Sequence, residues 1–524
     1  MKPSFDLIRE PWIPCIGLDG ESVELGLADT LCRAHRIREV LDPSPPVTAA
    51  LHRLLLAILH RVLGPSSTDE WRELWRAGQF DSARITDYLD HWSHRFDLFD
   101  EERPFYQTPG MAEKLFKPVS ILCAEQASGN NATLFDHRVD AVPVAVSPAR
   151  AARLAVALHL YSLGGLFAAE TGRVSTTAAP GAGGALVLLT GASVFETLAL
   201  NSAVYSPHHG APLPSTGDDL PAWEQAEPVA PEVRLPRGYL DYLTWQSRRV
   251  LLRPEDDGAG GLRVSRVAVS NGLEFPGDYY PRDPLMAHLW RKTAKAHENP
   301  WPALRLSEAR SLWRDSLALL GSLPEHTRRP AVVDQLAQMV GTEVPESAVY
   351  EVAVLGLCSS QAKVFFWRHE RQPLPLAYLD SPELVLALAD CLQNAEDAYQ
   401  ALRQGLWRLG NELLAPGERE PDRRALDQRL SAFPAASLYW SRLEPGFRRL
   451  VVRLARHPDE ADAICARWRA EVEATAWRAF DDSADSLQPN ARALRAINAG
   501  RGVLGHQLRE KLGQPGEEHH AEAR

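Results

Sequence analysis

The sequence predicts an α+β protein: a large mixed N-terminal α/β domain over residues 1–377, an antiparallel four-helix bundle over residues 378–512, and a disordered tail at 513–524. Three observations carry this expectation. Up to about residue 375, short β-type alternations are mixed with helical runs. From Ser381 onward, apolar residues recur at spacings of three and four over long stretches. The 524 residues allow two to four domains at roughly 150 residues each, and 45% hydrophobic with 24% charged residues is a globular composition that excludes a largely disordered or fibrous chain.

Residues 5–15 and 21–27 read as short strands around the turn Gly17-Leu18-Asp19-Gly20. A helix follows from Pro46, a residue suited to a first helical turn, and stops at Gly64-Pro65. It carries His52, Arg53, His60 and Arg61, so it is too short and too charged to span a bilayer. With no apolar run in Met1-Lys2-Pro3-Ser4-Phe5-Asp6, a soluble, cytoplasmic chain without a membrane partner is expected. Residues 101–133 keep no sustained period. Ser147-Pro148 opens another helix, which Gly164-Gly165 breaks, and the Gly/Ala/Ser/Thr-rich residues 171–184 predict exposed loop. Residues 207–236 are Pro-rich and acidic, a linker or surface excursion. The runs 248–253 and 262–270 then flank Asp256-Asp257-Gly258-Ala259-Gly260-Gly261, a hairpin signal. In its second strand the apolar phase slips by one near Ser265-Arg266, which predicts a bulge able to re-aim an arginine.

Ser381 is a good N-cap and Pro382 a good first helical residue. The stripe Leu384, Leu388, Cys391, Ala395, Tyr399, Leu402, Leu406 and Leu409 then covers about seven turns, with Gly410 and Pro416 as its end. Three more helical stretches are expected: residues 423–457, interrupted at Pro434 and at Pro445-Gly446, then 459–486 and 490–512. Four long helices with short connections predict the bundle.

The six cysteines contain no CxxC pair, so no sequence-local zinc or redox motif exists, and they suit a reducing cytosol. No phosphate-binding loop, dinucleotide fingerprint, GxSxG or HExxH is present, so neither a cofactor nor a nucleophile–base pair is indicated. His91 and His94 have i,i+3 spacing, but no Cys or carboxylate pattern completes a metal site; surface or capping histidines are the expectation. His208-His209 and His519-His520 read as solvated, and His52 and His60 as satisfied core or interface histidines. The segment Cys358-Ser359-Ser360-Gln361 is a small polar turn leading into an apolar β run that carries Lys363. A Gln on such a turn can bond base edges or stand between base pairs, with the Lys available to phosphate. The plain alternative is a polar turn before a buried strand.

Several pieces resemble, in order, the CasA family, the large subunit of the type I-E CRISPR Cascade surveillance complex. Phe5-Asp6-Leu7-Ile8-Arg9-Glu10-Pro11-Trp12-Ile13-Pro14 is similar to the family's opening strand. Arg103-Pro104-Phe105-Tyr106-Gln107-Thr108 resembles its HPFxQT-like segment, and Asn131-Ala132-Thr133-Leu134-Phe135-Asp136 the end of its first long loop. Leu163-Gly164-Gly165 falls in its glycine-loop region, Ser270-Asn271-Gly272-Leu273 follows its basic finger strand, and Ser360-Gln361-Ala362 matches its glutamine wedge.

The resemblance implies a non-catalytic DNA-recognition subunit in antiviral defence. Such subunits read the protospacer-adjacent motif (PAM) of double-stranded DNA from the minor groove and wedge the duplex open so that guide RNA pairing can start. They then help to recruit the helicase–nuclease. The implied partners are the other Cascade subunits, CRISPR RNA, double-stranded target DNA and that helicase–nuclease; no cofactor or metal is implied. Carried over residue by residue, Gln361 is the wedge with Ser359 and Ser360 shaping it and Lys363 beside it. Gly164 and Gly165 let backbone approach the groove. The finger position falls at Ser265, with Arg266 as the reading and Arg263 nearby. Asn131, Leu134, Phe135 and Asp136 stand at the loop that docks on the complex. The chain departs from the family pattern in three places. No CxxC precedes the finger strand, the glycine loop is poorer in glycine with Gly172 as an alternative position, and Ser-Ser replaces Asn-Asn before the Gln. A scaffold that never touches DNA, or a hydrolase built on dispersed His and Asp residues, are the competing classes.

The net charge of −11 argues against free-standing nucleic-acid binding. Of this, residues 381–524 carry only −2, and the last helix is locally basic through Arg492, Arg495, Arg501, Arg509 and Lys511 against Glu510. Arg492, Arg495 and Arg501, with Arg266 and Lys363, are therefore expected to form a DNA-facing strip; an ordinary solvated basic helix face is the alternative.

Overall fold

The computed structural model describes residues 2–123, 144–205, 212–292, 299–308, 310–321, 325–360, 363–415 and 421–513. Helices and strands mix through the N-terminal three-quarters, and long helices fill the C-terminal part. Packing divides the chain into two units. The first comprises Met1–Arg310, Ser322–Pro345 and Tyr350–Gln372; the second comprises Ser311–Gly321, Glu346–Val349 and Pro373–Arg524.

In the first unit, strand Ile13–Gly17 lies between Ser22–Leu25 and Ile37–Val40, both antiparallel to it. The strand expected from residue 5 begins only at Ile13. Asp6 turns the chain first: its carboxylate accepts from Ile8 N at 2.9 Å and its carbonyl from Glu10 N at 2.7 Å, folding Leu7, Ile8 and Trp12 into the core.

Helix Pro45–Leu63 matches its expected span within one residue, and 16 of its 19 residues are buried. Contrary to the expectation that it is too short and too charged, its length and composition would let it cross a membrane; here the protein's own core covers it. Arg53 lies inside with its charge matched. Nη1 donates to Asp283 Oδ2 at 2.5 Å, Nη2 to Tyr242 O at 3.0 Å, and the guanidinium lies 4.5 Å over the Tyr242 ring. His52 shares a 2.8 Å hydrogen bond through Nδ1 with Thr48 O, as a satisfied core histidine should. His60 differs from the expectation. It is buried with neither ring nitrogen bonded, edge-on to Tyr239, and desolvation pushes its pKa down to about 3, so it stays neutral.

Helix Pro148–Tyr161 packs on Pro45–Leu63 and is capped by Ser147 Oγ, which accepts from Arg150 N at 3.2 Å. Residues 171–184, expected as loop, instead begin with a strand. Gly165–Ala169 and Gly172–Thr176 form an antiparallel hairpin joined by Glu170-Thr171. Gly165 (φ +151°) and Gly172 (φ +115°) take backbone conformations that a Cβ disfavours, which is what glycine supplies at these two corners. The expected surface excursion at 207–236 is likewise partly anchored, since Trp223 and Glu224 are buried and Glu224 receives two 2.8 Å bonds from Arg61.

The second hairpin, Arg248–Asp256 with Leu262–Asn271, forms as expected. Val264 pairs with Pro254 and Arg266 with Arg253, so Ser265 is an extra residue in the second strand and the bulge is where the phase slip put it. Phe116–Pro118 adds a third strand at its edge. The RPFYQT segment supports this sheet from below. Gln107 Nε2 donates to Leu98 O, its Oε1 accepts from Leu252 N, and Thr108 N donates to Val250 O at 2.9 Å. Tyr106, the single non-glycine residue with positive φ among the described residues, is held by His159 through its carbonyl. A third three-stranded sheet orders Lys363–Pro375, Val349–Ser360 and Leu186–Thr190 side by side.

The second unit contains the long helices Pro382–Leu414, Ala435–Arg456, Ala461–Asp485 and Ala491–Leu512, with the shorter Arg423–Ser431 between the first two. Two local breakers do not break. The first helix continues past Gly410, where Leu426 comes so near that a Cβ would sit 2.9 Å from it. Ala435–Arg456 runs through Pro445-Gly446, because its stripe of Tyr439, Trp440, Leu443, Phe447, Leu450 and Leu454 is buried on one side and Gly446 accommodates Glu471. Gly405 and Gly500 face each other's backbone, so Pro382–Leu414 and Ala491–Leu512 pack closely; a Cβ on Gly500 would lie 2.8 Å from Gly405 O. Trp313 belongs to this unit, with its ring 4.7 Å from Phe447 and 5.6 Å from Trp440.

The Arg53–Asp283 pair yields a stability test. Asp283→Asn keeps the shape but leaves the Arg53 charge uncompensated, and should cost about 3–5 kcal/mol in urea unfolding. The double change Arg53→Met with Asp283→Leu should recover most of that loss, whereas equal losses in both variants would mean that the charge is not the cause.

Candidate nucleic-acid interface

The hairpin 165–176, here the glycine hairpin, and the hairpin 248–271, here the finger hairpin, are locked together by one buried arginine. Arg248 opens the finger hairpin with its side chain fully inside. Its Nη2 donates to Leu163 O at 2.9 Å, two residues before the glycine hairpin, and to Thr177 O at 2.8 Å, just after it; Nη1 donates to Ser247 O at 2.6 Å. The guanidinium lies 4.5 Å over the Phe167 ring. Burial lowers its pKa to about 10, so it remains charged at neutral pH. Ser270 Oγ adds a 2.8 Å bond to Ala168 O, and Arg249 pairs with Glu170 at the hairpin turn at 2.9 Å. Sequence reasoning missed Arg248. Its signal was only an arginine at the start of an apolar strand.

Gly164 and Gly165 have separate roles. A Cβ on Gly164 would stand 2.9 Å from Thr176 O, so that glycine lets the hairpin's own strands close, while space around Gly165 is open. Gly172, the alternative position for the glycine loop, pairs with Ala169 in the same hairpin, so both candidates lie in one element. Leu166 on this hairpin is 69% exposed, an apolar side chain facing solvent beside the glycines.

Arg266 is not a free finger in the isolated chain. Opposite the bulge it stands across from Arg253, and Glu113 bridges the two guanidiniums: 2.8 Å from Oε1 to each, with a further contact from Arg253 Nη2 to Oε2. Arg253 also stacks 3.8 Å over Phe116. The hydrogen bonds from Arg253, and then from Arg266, hold the Glu113 carboxyl down at about 2. A depressed carboxylate keeps its pairing through the neutral range and loses it only as pH falls through about 2. Arg263 lies 3.9 Å from Glu255, which also accepts from Ser265 Oγ at 2.6 Å.

For the wedge, strand Val349–Ser360 ends with Ser359 and Ser360, and its neighbour begins at Lys363. Ser359 and Ser360 are thus strand residues rather than turn residues. Gln361 lies outside the described residues. The base of this pair is pinned: Cys358 Sγ donates to Leu306 O at 2.7 Å, Arg368 Nη1 to Ser307 O at 2.9 Å, and Trp367 stands edge-on to Tyr161, three residues before Gly164. Asn131, Leu134, Phe135 and Asp136 also lie outside the described residues.

In the helical unit, Arg492 and Arg495 are exposed on Ala491–Leu512, and Arg501 is paired with Asp481 and sits over Trp477. A second basic surface went unread. Arg448, Arg449, Arg453 and Arg456, with His457 just after them and Arg467 from helix Ala461–Asp485, line an open groove of about 730 Å³. Their spacing along one helix was the available signal. Among the described residues, no three His, Cys, Asp or Glu side chains converge as a metal site.

Comparison with known proteins agrees with this architecture. The family described as CRISPR-associated protein Cse1 (CRISPR_cse1) matches residues 6–479. The CRISPR-associated protein CasA/Cse1 of Thermus thermophilus is 35% identical over 530 residues, covering 98% of each chain. The crystal structure of Cse1 from Acidimicrobium ferrooxidans superposes with a TM-score of 0.82 at 27% identity, covering 98% of this chain and 99% of that one. A chain of a CRISPR RNA-guided surveillance complex, 23% identical, shares the fold at a TM-score of 0.75 over 96% of this chain and all of that one. With the match extending over nearly the whole length, the chain belongs to the CRISPR-associated Cse1 (CasA) family.

Proposed function

We propose that this chain is the large, non-catalytic subunit of a type I-E CRISPR ribonucleoprotein, working in the cytoplasm with the other Cascade subunits and CRISPR RNA. In this reading it inspects the PAM of double-stranded DNA from the minor groove, opens the adjacent base step, and helps to recruit the helicase–nuclease. Residues 378–512 serve it as an antiparallel four-helix bundle.

The observation that carries the reading is the locking of the glycine hairpin to the finger hairpin by Arg248, which yields a stiff, narrow edge with glycine backbone and an exposed leucine. The minor groove is about 6 Å wide, too tight for an α-helix but open to glycine backbone and to single side chains such as arginine or glutamine. Its degenerate pattern suits recognition of a short, permissive motif. Opening one step costs a few kcal/mol of unstacking, which guide pairing offsets. Gln361, joined to strands anchored at Cys358 and Arg368, is the residue we assign to that insertion.

Gln361→Ala, assembled with its ribonucleoprotein partners, should bind PAM-bearing duplex nearly as well as wild type yet open it at least ~10-fold more slowly, read by a fluorescent base analogue beside the PAM. Equal opening rates would remove the wedge assignment.

Glu113 tests the finger. Glu113→Gln removes the carboxylate that occupies Arg253 and Arg266, so duplex affinity should rise about threefold at low salt with a steeper dependence on salt concentration, while Arg266→Glu should weaken it. Unchanged affinity and slope in both variants would point to a scaffold that does not touch DNA here.

A further inference from the structure

We propose that Cys391 and Cys465 form a peroxide-driven disulfide that staples helix Pro382–Leu414 to helix Ala461–Asp485. The two sulfur atoms stand 3.2 Å apart on separate helices of one unit, both as free thiols. A disulfide needs about 2.05 Å between sulfurs, so closure asks for a movement of roughly 1 Å, within reach of side-chain torsions. The helices are already in register. Trp468 Nε1 donates to Cys391 O at 2.8 Å, one turn from Cys465, which keeps the backbone of the partner helix in place.

The pair is also chemically unequal. Cys391 is buried and its thiol donates toward Cys465, which is half-buried and open to a small oxidant. That donated hydrogen bond, the largest influence on both groups, favours the thiolate at Cys465 and raises the Cys391 thiol. As the sulfur that a small oxidant can reach, Cys465 is the attacking one and buried Cys391 the resolving one. The Cys465 thiolate attacks hydrogen peroxide, the O–O bond breaks, hydroxide leaves, and a sulfenic acid forms. Cys391 gives up its proton and attacks that sulfur; the S–S bond forms, the S–O bond breaks, and water departs. Overall, two thiols and one peroxide yield one disulfide and two waters. In a reducing cytosol the thiols persist, and the bond closes only when peroxide rises. It spans 74 residues of sequence, so it restrains the unfolded helical unit as well as the folded one.

The test is peptide mapping of the full-length chain after exposure to hydrogen peroxide, under non-reducing conditions. The expected product is one peptide pair joined through Cys391 and Cys465, lighter by two hydrogens and separated again by dithiothreitol. In Cys391→Ser the Cys465 sulfenic acid should persist and give at least ~10-fold more dimedone adduct than in wild type. Wild-type Cys465 that accumulates sulfenic or sulfinic acid without a linked peptide, or that links to Cys15, Cys32, Cys123 or Cys358 instead, overturns the proposal. Should the serine variant fail to fold, the wild-type peptide map decides alone.

Discussion

The Arg248 guanidinium is the constraint on which the candidate DNA-facing edge depends. A buried cation is tolerated only when its donors are used, and here three backbone carbonyls from two separate chain segments receive them. The cost is visible in its lowered pKa and in Nε, which has no partner. In return, Leu163 and Thr177 are drawn to one point, and the strands between them have little choice but to run antiparallel. Lysine could not replace it, since a single ammonium lacks the planar fork that reaches carbonyls on two sides. The finger hairpin therefore shapes the glycine hairpin through its first residue, before any nucleic acid is present.

How much of this was legible depended on how local the cause was. The bulge at Ser265 could be read because a phase slip is written in neighbouring residues, and the helix starts at Pro45, Pro148 and Pro382 because capping chemistry is local. The strand Gly172–Thr176 is masked in the sequence because the β-formers Val174 and Thr176 are outweighed by the Gly, Ala and Ser around them; the partner that organises the hairpin is 71 and 85 residues away. The place of Arg266 beside a bulge was legible, but its capture by Glu113 was not, since Glu113 lies 153 residues earlier. Gly410 and Pro445 stand for the opposite error. They are strong local breakers that close helix packing overrides.

The same distinction explains why Trp313 sits among the C-terminal helices. Its segment carries no helical stripe long enough to announce membership of that unit. What places it there is aromatic surface: Trp440, Phe447 and Trp468 surround one ring, and Arg314 next to it makes an ion pair with Glu396 at 2.8 Å while lying over Trp440. A domain cut read from periodicity alone follows the chain, whereas burial of aromatic area follows space.

The charge of −11 takes on a different meaning once pairing is seen. Many arginines on the candidate surfaces are engaged by a carboxylate: Arg253 and Arg266 with Glu113, Arg263 with Glu255, Arg501 with Asp481, Arg449 with Glu471, and Arg453 with Glu460. Exposed pairs of this kind add little to stability, so they open readily, yet each opening subtracts from the gain of a phosphate contact. A free duplex drifting past would find little net attraction. A duplex already held by basic partners in a ribonucleoprotein would meet the same side chains at high local concentration, where a small gain per contact is enough. On the proposed reading, the acidic balance and the paired arginines are one device. They keep the isolated chain from binding DNA indiscriminately and reserve contact for duplex that the assembled complex presents.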